Sequence, residues 1–75
     1  MTSSTETRVT LDASSSDLEP FQMQDMPVRL GRSRFPAGFE AETGDTLTLV
    51  LNDDEEWAGC YVTDTGPQFI QIGLA

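Results

Sequence analysis

Chemistry in a short chain needs a nucleophile, an acid or base with a tuned pKa, or a metal, so those residue types come first. Histidine is absent and Cys60 is the single thiol. Cys60 therefore has no histidine to act as its base. It sits in Trp57-Ala58-Gly59-Cys60-Tyr61-Val62, which reads as a strand that turns Cys60 into the core, where an apolar setting disfavours the thiolate and makes it inert. One cysteine without histidine rules out an intramolecular disulfide and the common zinc sites. The dense acidic run Asp53-Asp54-Glu55-Glu56 lacks the alternating oxygen ligands, central glycine and distal glutamate of a calcium loop, and reads as a solvated turn. The glycines are isolated, so no phosphate-cradling loop is visible. Paired carboxylates brought together by folding remain the one catalytic option, in a chain with little room for a pocket. The expectation is a protein without enzymatic activity, cofactor or metal.

Residues suited to binding are easier to find. Arg29, Arg32 and Arg34 fall within six residues of one another and form the sequence's only basic patch. They have two readings: pairing with the chain's own carboxylates while burying their stems, or contact with an acidic surface such as the acidic turn of a second copy. Trp57, Tyr61 and Phe69 are the aromatic candidates, because aromatic side chains anchor interfaces through large buried area at low entropy cost. Val9 and Leu11, in the alternating stretch Thr7 to Leu11, are candidates for a short edge strand added to this domain or to a neighbouring chain.

The elements that must position these residues are most legible from Asp45 to Leu74. Leu47, Leu49 and Leu51 alternate with Thr48 and Val50 at period two, which places the leucines on one face of a strand. After the acidic turn comes the Trp57–Thr63 run, then a turn at Asp64-Thr65-Gly66-Pro67, then Gln68 to Leu74. This reads as a three-stranded antiparallel meander. A four-residue acidic loop pairs Leu51 with Ala58, Leu49 with Cys60 and Leu47 with Val62, and a three-residue second loop pairs Val62 with Ile70. Ile70, Ile72 and Leu74 then complete one apolar face. Val50, Trp57, Tyr61 and Phe69 fall on the opposite face around Gly59 and Gly73. That face needs cover from the N-terminal half, a second copy or a partner.

The N-terminal half carries weaker signals. Residues 1–20 are mostly polar and read as an arm, with at most one helical turn from Ser16 that Pro20 stops. Phe21 to Gln24 and Val28 to Leu30 alternate as further strands, and Pro20, Pro27, Pro36 and Pro67 leave no segment for a long helix. Phe21, Met23, Val28, Leu30 and Phe39 are available to fold over the aromatic face and close a small barrel. The pattern Leu47-Thr48-Leu49-Val50-Leu51, turn, Trp57 to Val62, turn, Phe69-Ile70-Gln71-Ile72 resembles the central meander of SH3-like and Sm-like small barrels. That resemblance is to a fold. Sm-like proteins bind RNA through basic and aromatic loops, and the acidic turn here departs from them. The expected architecture is all-β: a polar arm over residues 1–20 and a small, partly open barrel or roll over residues 21–75.

Composition limits the function. The chain has 75 residues, 13 acidic residues, four arginines, no lysine and a formal net charge of -9. Such a charge repels a phosphate backbone, so direct nucleic-acid binding is not expected. The acidity fits either a high-salt or high-GC proteome or a surface that meets something basic. A core this small gains from oligomerisation or docking. The sequence contains no membrane-length apolar run, and Met1-Thr2-Ser3-Ser4 lacks the basic and apolar regions of a signal peptide, so a cytoplasmic location is expected. These features point to an interaction or structural subunit of a larger assembly, such as a virion or other multi-protein particle, with a protein partner or copies of itself. The alternative is an acidic inhibitor that imitates nucleic acid in a host protein's cleft.

Overall fold

In the computed structural model, which describes residues 7–74, the elements run β1 (Thr7–Thr10), α1 (Ser15–Met23), β2 (Val28–Gly31), a short 3-10 turn (Arg32–Arg34), β3 (Thr46–Val50), β4 (Glu56–Thr65) and β5 (Phe69–Gly73). The strands form one sheet in the order β1-β3-β4-β5-β2. β1 lies parallel to β3, and every other neighbouring pair is antiparallel. The expected meander is present as β3, β4 and β5. The sheet is not closed, because β1 and β2 stand at its two ends. The molecule is therefore a small, mostly β fold with one helix.

The leucine alternation does what its period dictates. Leu47 and Leu49 face the core from β3, Cys60 and Val62 from β4, Ile70 and Ile72 from β5, and Val28 and Leu30 from β2. Val9 joins them from β1, and Leu11, Ala13, Leu18, Phe35 and Leu51 complete this cluster from outside the strands. Fully burying each branched aliphatic contributes about 1.5–3 kcal/mol.

Two bulges correct the expected register. Leu47 pairs with Cys60 but Leu49 pairs with Trp57, so Ala58 and Gly59 together oppose Thr48. Gly59 has φ 77°, a conformation open to glycine and costly for other residues. The slip turns Trp57 to the side of Leu49, where it packs against the core instead of joining an outer aromatic face. Ala58 is exposed. Between β4 and β5, Val62 pairs with Ile72 in place of Ile70, and a one-residue shift lies between Val62 and Asp64. The net offset at Val62 is two residues, so the core face is kept.

The segment read as an arm is built into the fold over its described part, residues 7–20. β1 adds to β3 in this same chain, and Val9 and Leu11 are buried there. Leu11 also donates its backbone N–H to the Val50 carbonyl at 2.8 Å. Residues 1–6 lie outside the described residues. Pro20 does not stop the helix either: α1 runs through it to Met23. Two termini and one anchor hold α1. Asp17 accepts the Ser14 backbone N–H at 3.1 Å in a capping box, and Leu18 is buried. At the other end Met26 N–H bonds to the Phe21 carbonyl (2.9 Å) and Asp25 N–H to the Gln22 carbonyl (3.1 Å), a Schellman closure with Asp25 in the left-handed region at φ 55°. Phe21 to Met23 are helical, not strand. Among the described residues no helix is long and apolar enough to cross a membrane.

Candidate protein-interaction surface

The eight residues singled out for binding do not come together. Val9 and Leu11 are buried in the chain's own core, so no pocket on a neighbour is open to them. Trp57 is half-buried against that core. The three arginines of the basic patch are held by the chain's own groups. Arg29 lies over the Phe69 ring, 4.3 Å from its centroid, and its Nε points to Gln71 Oε1 at 3.4 Å. Arg32 Nε donates to the Gly66 carbonyl at 2.9 Å. Arg34 donates to the Asp12 carbonyl at 2.7 Å, while the Asp12 N–H bonds to the Arg34 carbonyl at 2.8 Å. This last pair joins the segments that follow β1 and β2, one at each end of the sheet. The acceptors are carbonyls and a ring rather than the carboxylates the sequence suggested. Among the described residues the ion pair is Arg8 with Glu56 at 2.8 Å, between exposed side chains, and Glu56 raises the Arg8 pKa by hydrogen bonding and Coulomb attraction.

Tyr61 and Phe69 remain on the outer face, on different rows. Tyr61 pairs with Gly73, and its ring lies so close over that glycine that a methyl group there would enter it. Such packing of an aromatic over a cross-strand glycine covers backbone that has no side chain of its own. Tyr61 nevertheless stays 46% exposed. Phe69 is half-buried under Arg29.

Several carboxylates that looked like solvated charge do local work. Asp53 accepts from the Ser15 hydroxyl at 2.6 Å and from the Ser15 N–H at 3.2 Å, tying the β3–β4 loop to the start of α1. The Ser15 hydroxyl bond leads the interactions that lower the Asp53 pKa from its ordinary value. Asp45 accepts the Glu42 N–H at 2.9 Å. Cys60 is fully buried, with Sγ 3.4 Å from the Trp57 carbonyl. Among the described residues no three of the metal-ligating types group to hold an ion.

The surface that does form takes only Tyr61 from the residues singled out in the sequence. Among the described residues four large apolar side chains are exposed: Phe21, Met23, Met26 and Tyr61. Phe21, Met26 and Tyr61 line one depression of about 90 Å³ with Asp25, Pro27, Thr63, Gly73 and Leu74. Met23, 84% exposed, stands in the last turn of α1. The Schellman closure builds the depression, because it folds Met26 back toward Phe21, the hydrophobic partnership that accompanies this cap. The signal for the start of α1 lies in Ser14-Ser15-Ser16-Asp17, with Ser14 at the N-cap and Asp17 three residues on, two residues before the Ser16 start read from the sequence. Comparison with known proteins returns no matching family model, no matching curated protein and no matching solved structure.

Proposed function

We propose that this protein is a non-catalytic interaction domain that works as a subunit of a larger protein assembly. The observation that carries this reading is the gathering of Phe21, Met26 and Tyr61, three of the four large apolar side chains exposed among the described residues, around one depression. Exposed apolar side chains scattered singly need no explanation, but a contiguous group marks a surface that another molecule covers. Methionine suits such a surface because its flexible, polarisable side chain adapts to a partner. The two open sheet ends, β1 and β2, add edges at which a neighbouring strand can pair.

The test is native-level expression of a tagged chain, purified under gentle conditions beside a Phe21→Ser, Met26→Ser double variant. The wild-type chain is expected to elute in a stoichiometric complex with other chains or with itself, and the folded variant to elute without it. Elution of the wild-type chain as a lone monomer would overturn the reading.

A further inference from the structure

We propose that the depression formed by Phe21, Met26 and Tyr61 receives an apolar anchor from a cationic amphipathic segment of a partner protein, with Asp25 pairing its lysine or arginine. This deepens the interaction reading and rests on it. Charge decides the class of partner. The chain carries 13 acidic residues against four arginines. Each arginine already has a partner within the chain: Glu56 for Arg8, Phe69 for Arg29, and the Gly66 and Asp12 carbonyls for Arg32 and Arg34. Among the described residues the remaining carboxylates therefore present unpaired negative charge that a basic partner can meet. A second copy brings the same net charge of -9 and the same four partnered arginines, and so is disfavoured as the source of the matching cations.

Asp25 locates the contact. It lines the depression, and Asp17 and Glu19 are exposed on the helix that leads to it. For folding alone Asp25 is an unfavourable choice. Its φ of 55° is one that aspartate adopts but glycine takes at less cost, and a carboxylate at a helix C-terminus meets the negative end of the helix dipole. A residue that opposes its own fold beside an exposed apolar group points to a role outside the fold. The partner segment thus needs one aliphatic or aromatic anchor flanked by basic residues, the pattern of an amphipathic helix laid into a groove.

The test uses the full chain, isotope-labelled for NMR, and a synthetic amphipathic peptide of leucine and lysine, with a leucine and glutamate peptide as control. Asp54→Asn is the matched variant: Asp54 also has positive φ, at 66°, and its change removes the same charge from the β3–β4 loop. The expected result is that the lysine peptide shifts amides at residues 21–27, Tyr61 and Gly73. Asp25→Asn should weaken that binding about tenfold, against about twofold for Asp54→Asn, because only a covered carboxylate is lost to the interface while a remote one acts through screened attraction. Asp25→Asn should also raise the thermal midpoint. Equal losses for the two variants, shifts centred on the acidic loop, equal binding of the glutamate peptide, no binding, or a lowered midpoint for Asp25→Asn would each overturn the proposal. A native complex that survives both Asp25→Asn and Met26→Ser would overturn this surface while leaving the broader interaction reading standing.

Discussion

At the scale of single residues, position in the sheet decides what a side chain contributes. Leu49 is flanked by Val9 on one strand and Trp57 on the other, and is fully buried. Truncation there removes apolar contact on both sides and leaves a cavity that a strand held between two neighbours cannot collapse. Leu49→Ala should therefore cost about 2–5 kcal/mol, and Thr48→Ala on the opposite face far less. Denaturant melts of the two variants check this, and equal shifts in midpoint would show the face assignment to be mistaken. The same leucine shows how far the sequence was legible. Its burial follows from period-two alternation, but its partner does not, because the loop over residues 51–55 and the bulge at Gly59 together put Trp57 rather than Cys60 across from it. Nothing in the alternation marks a glycine as a bulge rather than a plain strand position. The aromatic face read from the sequence depended on that glycine, and lost Trp57 with it.

At the scale of elements, β1 and α1 depend on tertiary anchors more than on propensity. Pro20 lacks the N–H that would bond back along α1, which is why the sequence alone stops a helix there. The helix persists because Leu18 is buried and both ends are capped, neither of which a proline count can report. The meander was readable because each of its strands carries its own alternation; the helix was less so, since its caps are local but the burial of Leu18 depends on residues far away in sequence. Deleting residues 1–20 removes β1 and most of α1, together with Val9, Leu11, Ala13 and Leu18 from the core. The truncated chain should be unfolded by circular dichroism, and a cooperative melt from it would return these residues to the status of an arm. The tie between Asp53 and Ser15 makes a finer forecast. The Asp53 pKa is lowered in the fold, so its stabilising contribution is complete above the ordinary carboxylate range and is lost as pH falls through the lowered value. The gap in thermal midpoint between the native chain and Asp53→Asn should accordingly narrow on acidification. A gap that widens toward low pH would contradict the assigned direction.

At the scale of the whole molecule, charge works against compaction. With a net charge of -9 on 75 residues, the folded chain holds its carboxylates closer together than the unfolded one does, and their mutual repulsion favours unfolding. Opposing attractions are few among the described residues: Arg8 with Glu56 is the ion pair, exposed on both sides, and the other arginines bind carbonyls or a ring. Salt weakens both signs of interaction, but here repulsion is the larger store. The Debye length shortens from about 30 Å at 0.01 M to about 3 Å at 1 M, so repulsion across a domain of this size is felt in dilute buffer and screened in concentrated salt. The thermal midpoint should rise with added sodium chloride, and most of the rise should occur below about 0.5 M, where screening changes fastest. Neutralising Asp54 and Glu55 together, as Asp54→Asn and Glu55→Gln, should raise the low-salt midpoint and reduce its further gain with salt, because part of the repulsion is then already gone. A midpoint that stays flat or falls as salt is added would mean that attractive pairs outweigh the repulsion and that the acidity is offset within the fold.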